Sequence, residues 1–299
     1  MSFVDILFLA VAVLTSGLSG MAYRTVSQHT SGYTASALVP ALWYLPLSLV
    51  FFLIAAIGGT LHPEADALPS VLCGGISAFV CAFSLLESMR RNSFAIAVII
   101  VNLSFVFPVV FSAIYPGEPV GIFQLIGMLV AVAAILLLNI KKGTAFRDSL
   151  SAILFAVLSS LGNGLLDYAL KIRQYTVPDL SDGMFFAAVY GLAALLSLLT
   201  GGLLVLLRGR PGMGSSDIRP LLIGGGLIAL SNGLCFFALA RLTGAMNAAA
   251  EFTVITALTI VLSLAYEAVR SRKMPVPKEW ACVILCAAAI VFQYLNLSG

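Results

Sequence analysis

Two carboxylates interrupt apolar runs of this chain: Glu251, in Asn247-Ala248-Ala249-Ala250-Glu251-Phe252-Thr253, and Asp167, shortly after Asn163-Gly164. Even permissive insertion scales charge about 2.5–3.5 kcal/mol for an acid at the centre of a bilayer helix, so such a group must face a cavity or a partner. Glu251 is therefore a candidate for holding a cationic group or carrying a coupling proton. The alternative is a carboxyl hydrogen-bonded to a neighbouring helix. Asp167 precedes Lys171 by four residues, so the two can instead neutralise each other near a helix end, with the lysine reaching outward. Asn163 lies one turn before Asp167 on the same face. Asn102 and Asn232 are amides within apolar runs that both donate and accept, in a binding site or between helices. Trp43 and Tyr44 precede Pro46, where a loosened helix and aromatic faces can enclose an organic cation; anchoring at the bilayer interface is the competing role. With Ser16, these eight residues form the candidate ligand-binding set.

Other chemistries find no support. The histidines His29 and His62 stand apart, without HExxH or neighbouring cysteines, so no metal site is expected. Cys73, Cys81, Cys235, Cys282 and Cys286 form no CxxC pair and suit buried small hydrophobes. There is no Walker A or GxSxG pattern, and Gly224-Gly225-Gly226 lies in an apolar stretch, where it permits close packing. No catalytic residue and no cofactor are implied. The net charge of +3 is spread over loops, against nucleic-acid binding.

The residues named above must be positioned by apolar elements. The chain is 61% hydrophobic and 10% charged, with mean hydropathy +1.07, whereas soluble domains carry about a quarter charged residues. Spans of about twenty residues suffice to cross a bilayer, and ten are expected: 3–23, 34–59, 69–89, 94–115, 119–140, 149–171, 183–207, 219–241, 245–269 and 279–297. His62-Pro63, Tyr115-Pro116-Gly117, Val177-Pro178, Arg210-Pro211-Gly212 and Pro275-Val276-Pro277 punctuate the breaks. The first span carries Asp5 and lacks a basic flank, so it is expected to be a retained helix rather than a cleaved signal.

Set against itself, the chain aligns Ile6-Leu7-Phe8 with Ile153-Leu154-Phe155, Ser16 with Asn163, and Arg24 with Lys171. Pro69, Gly74, Gly75 and Arg90 fall on Pro220, Gly225, Gly226 and Arg241, and Glu118 on Glu267. Two units of five spans, an odd number, have opposite orientations. The expected fold is thus all-α and membrane-integral, ten helices in two inverted five-helix repeats over residues 1–145 and 146–299.

The stretch Phe94 to Ile140, with Pro108 in mid-helix, Glu118 after Tyr-Pro-Gly and Gln124-Leu125-Ile126-Gly127 before a Leu-rich span, resembles the EamA repeat of the drug/metabolite transporter superfamily. Phe236-Phe237-Ala238-Leu239 and Glu267 echo it in the second half, where Arg272 to Glu279 lengthens the last loop. The resemblance implies a central cavity lined mainly by helices one to four and six to nine, and movement of small metabolites. With the intramembrane carboxylates it points to a secondary transporter of a small polar, neutral or cationic substrate. A lipid or lipid-linked headgroup flippase, and a non-transporting receptor or scaffold, are the alternatives. The bilayer and a coupling proton are the other expected partners, and a duplicated chain has no need to oligomerise.

Thirteen Lys and Arg residues fall on one face of this topology; Lys171, Arg173 and Arg241 fall on the other. The positive-inside rule then puts both termini outside, whereas the resemblance implies both inside. A bacterial inner membrane is the expected location. Glu118 and Glu267 are expected to be structural, and Glu87 to pair locally with Arg90 and Arg91.

Overall fold

The computed structural model describes residues 3–61, 64–91, 101–139, 150–209, 215–242, 248–271 and 276–295, and their regular structure is entirely helical. In chain order the helices are α1 (Phe3–Gln28), α2 (Gly32–Leu38), α3 (Ala41–Ile57), α4 (Leu68–Arg91), α5 (Val106–Ile114), α6 (Ile122–Asn139), α7 (Leu150–Thr176), α8 (Asp182–Arg208), α9 (Ser215–Leu242), α10 (Ala248–Ser271) and α11 (Pro277–Leu295). Six stretches are long and apolar enough to cross a membrane: Val4–Gln28, Gly32–Ile57, Ala65–Arg91, Ser151–Thr176, Asp182–Arg208 and Ile218–Leu242. Bare leucine and isoleucine faces, such as Ile57 at 88% and Leu206 at 85% exposure, suit contact with lipid.

The second expected span runs from Gly32 to Ile57, with a turn at Val39–Pro40 between α2 and α3 and Pro46 accommodated inside α3. Pro108 lies within the apolar helix Leu103–Ile114, which begins as a turn of 3₁₀ helix at Leu103–Phe105 and continues as α5. The start of the fourth span, at 94–100, lies outside the described residues, as do His62, Pro63, Arg210, Pro211, Gly212, Asn247, Pro275 and the side chain of Glu267.

Helix ends follow local chemistry. Ser181, in extended conformation, accepts the Met184 N–H at 3.2 Å and starts α8. At the start of α11, Glu279 accepts the Val276 N–H at 2.9 Å while Pro277 occupies the first helical position. Gly209, at φ +86°, ends α8.

The helices of residues 3–139 do not pack mainly on one another. α4 lies against α7, α1 against α9, α2 and α3 against α8, α5 against α7, and α6 against α11. Small residues set the closest approaches. A Cβ on Gly162 of α7 would meet the Ser77 O and Cys81 N of α4 at 2.9 Å, and one on Gly75 would meet Leu192 of α8 at 2.7 Å. Within the Gly224-Gly225-Gly226 run, Gly224 and Gly225 face α1 and α3, but a Cβ on Gly226 would meet nothing within 4 Å.

Candidate functional site

A cavity of about 200 Å³ opens where the two sets of helices meet. Side chains of α1, α3, α4, α7, α8, α9 and α10 line it, with Val101, Asn102, Ser104 and Phe105 of the fourth segment; among the described residues, α6 and α11 contribute none. Six of the eight candidate residues share this wall: Ser16, Tyr44, Asn102, Asn163, Asp167 and Asn232.

Several of these polar groups are held by neighbours. Asn163 donates from Nδ2 to Ser104 Oγ at 2.9 Å, fixing α7 against the fourth segment. Asn232 accepts at Oδ1 from Ser19 Oγ at 3.0 Å, joining α9 to α1. Tyr44 donates to the Ala78 carbonyl at 2.7 Å and stacks on Tyr190 with centroids 5.6 Å apart. Asp167, 7% exposed, has no hydrogen-bond or ion-pair partner among the described residues. The Tyr190 hydroxyl, also in the wall, has no hydrogen-bond partner among them either.

The remaining two candidates lie behind the wall. Trp43 is fully buried, edge-on to Tyr23 at 5.6 Å and to Tyr44 at 5.8 Å. The interfacial role is thereby ruled out, because α3 packs on α8 and α9 and Trp43 lies in that core. Glu251 is also fully buried, with Oε2 3.4 Å from the Lys171 ammonium.

Lys171 corrects another expectation. Instead of reaching outward from Asp167, it is 1% exposed and bridges Glu251 and Glu118, each at 3.4 Å. Glu118 comes from the loop between α5 and α6, where Gly117 at φ +88° turns the chain and the Gly117 and Glu118 N–H groups both bond the Ser112 carbonyl. Its carboxylate also accepts from Tyr175 Oη and from the Ala248 N–H, both at 2.8 Å. Both acids thus sit at the N-terminus of α10, where the helix dipole favours negative charge. Lys171 is one turn beyond Asp167, toward the end of α7, and Glu251 precedes the cavity residue Phe252 at the start of α10. The ionic network therefore stands between the cavity and the face toward which α7 runs. Nearby, Arg173 pairs with Asp182 under the Phe185 ring.

At the opposite face, Glu87 accepts Arg90 at 2.7 Å and Arg91 at 3.0 Å, the local pairing expected. All five cysteines are free. Among the described residues no cluster of His, Cys, Asp and Glu has the makings of a metal site.

The candidate set missed Ser19 and Tyr23 on α1, Tyr190 on α8, and Phe252, Thr256 and Thr259 on α10. Helical spacing carried the signal: 16, 19, 20 and 23 form one face of α1, and 252, 255, 256 and 259 one face of α10.

Residues 4–140 match the model of the EamA-like transporter family. A solved structure described only as "Crystal structure of protein" superposes with a TM-score of 0.71, covering 99% of this chain and 98% of its own, at 16% identity. That likeness is one of fold. No curated protein matches the sequence. With its apolar helices, the protein is an integral membrane protein whose residues 4–140 resemble the EamA-like transporter family of the drug/metabolite transporter superfamily.

Proposed function

We propose that the protein is a secondary transporter that moves a small polar, neutral or cationic metabolite by alternating access, with two inverted units at residues 1–145 and 146–299. If each segment of the first unit corresponds to one five positions later, a two-fold relation pairs each inter-unit contact with a mirror; the most extensive contacts are so paired, whereas that of the fifth segment on the ninth has no comparable mirror among the described residues. The third segment on the sixth is mirrored by the first on the eighth, and the third on the seventh by the second on the eighth. The fourth on the sixth is mirrored by the first on the ninth; the second on the seventh and the fifth on the tenth are their own mirrors. Two arrangements of similar energy are what such a relation supplies, one accessible from each side of the membrane.

The observation that carries the reading is the position of the cavity between the units, with Lys171 and Glu251 of the second unit joined to Glu118 of the first on one side of it. A buried network that joins both units can hold one face shut and must break for that face to open. Asp167 and Glu251 offer carboxylates for a coupling proton. Reconstituted vesicles loaded with a panel of radiolabelled amines, amino acids and polyols, with and without a pH gradient, provide the test. Flux of one of these solutes that falls in Glu251→Gln supports the reading. Absence of flux for every solute, with the protein correctly inserted, refutes it.

A further inference from the structure

The cavity that the transporter reading uses is unusual in its balance of groups. Among the described residues, Asp167 is the one formally charged side chain of the lining; it is more than nine-tenths buried and has no hydrogen-bond or ion-pair partner among them. One turn away, Glu118 and Glu251 share the single ammonium of Lys171. When all are ionised, these three carboxylates outnumber the one ammonium that the described residues place among them. An incoming cation reduces that excess, a neutral molecule leaves it, and an anion enlarges it, in a region where water screens little.

The rest of the wall suits an organic cation. Tyr23, Tyr44, Tyr190, Phe236 and Phe252 line the cavity, and aromatic rings attract cations. The Tyr190 hydroxyl is buried beside the cavity and has no hydrogen-bond partner among the described residues, so a small shift of the ring would let it accept from an N–H group. At about 200 Å³ the space is smaller than the roughly 300–1,000 Å³ of drug-sized sites.

We infer that Asp167 is the specificity-determining residue of the cavity and that the ligand is a compact organic amine, bound as its ammonium on the Asp167 carboxylate among these aromatic side chains. The inference rests on the transporter reading and narrows its substrate class.

Calorimetric titration of the purified full chain in lipid nanodiscs tests it with probes of one skeleton: 2-phenylethylamine, neutral 2-phenylethanol and anionic 3-phenylpropanoate, with tetraphenylphosphonium as a bulky cation. A charge-assisted hydrogen bond is worth roughly 1.5–3 kcal/mol, so the amine should bind at least about tenfold tighter than the alcohol. The propanoate and the phosphonium should bind far more weakly than the amine. In Asp167→Asn the preference for amine over alcohol should vanish while alcohol binding persists. Equal binding of amine and alcohol by the parent, tight binding of the propanoate or the phosphonium, or an unchanged preference in Asp167→Asn overturns the inference. If the variant does not fold, the ranking on the parent decides alone. A parent that binds none of the probes, yet carries a neutral solute across vesicles, refutes the amine site and leaves the transporter reading standing. The expected ranking without any flux does the reverse.

Discussion

Replacing Lys171 by Met removes the one cation between two buried carboxylates. Each Nζ–Oε separation is 3.4 Å, and at an effective dielectric constant of about 20 a unit charge pair at that distance attracts by about 5 kcal/mol. Much of this is offset by the desolvation of three ions, so the net worth of the network is far smaller than the sum of its pairs. Removal of one partner leaves the other charges buried without compensation, and that typically destabilises by about 3–5 kcal/mol. At roughly 2–4 °C per kcal/mol for a large domain, the thermal midpoint in detergent should fall by about 10 °C. Glu118 retains the Tyr175 hydroxyl and the Ala248 N–H, and Glu251 loses its ion pair with Lys171 in a fully buried position. Adding Glu251→Gln to Lys171→Met should therefore restore part of the midpoint, although Glu251→Gln alone lowers it in the parent. A Lys171→Met protein that melts within about 1 °C of the parent, or a double variant no more stable than Lys171→Met, would refute the account of the network as a charge-balanced structural tie.

Packing predictions separate two glycines. Gly162→Ala places a Cβ 2.9 Å from backbone atoms of α4 and should destabilise by about 1–3 kcal/mol, whereas Gly226→Ala, with nothing within 4 Å, should be neutral or gain up to about 1 kcal/mol of helix propensity; midpoints of the two proteins in one detergent check this. Ser181→Ala removes the cap on the Met184 N–H and should lower stability by about 0.5–2 kcal/mol, read as a lower melting midpoint. Tyr190→Phe deletes a buried hydroxyl that has no hydrogen-bond partner among the described residues, so stability should hold or rise slightly, while affinity for 2-phenylethylamine should drop in the same titration used for Asp167.

Much of this protein is legible along the chain because lipid imposes local rules. A span must satisfy its backbone within itself and present apolar side chains over about twenty residues, so composition and punctuation located the segments without knowledge of their neighbours. The same rule singled out Asp167, Asn163, Asn102 and Asn232, since a polar group inside an apolar run needs a cavity or a partner, and these four do line the cavity. Glu87 was readable for a related reason, because its partners lie three and four residues away on one helix.

What lay beyond the sequence was which distant groups meet. Spacing alone offered Asp167 as the partner of Lys171, but the lysine turns to Glu118 and Glu251, from a loop 53 residues earlier and a helix that begins well after it. Trp43 had the composition of an interfacial anchor, but the packing of α3 on α8 and α9 buries it. Ser19, Tyr23 and Thr256 became cavity residues only because α1 and α10 turn those faces inward. By itself the sequence determined the apolar segments and the polar groups that could not face lipid, since both follow from transfer free energies of individual residues. The tertiary structure decided which polar group is balanced by which, because that choice depends on helix rotation and close approach between segments far apart in the chain.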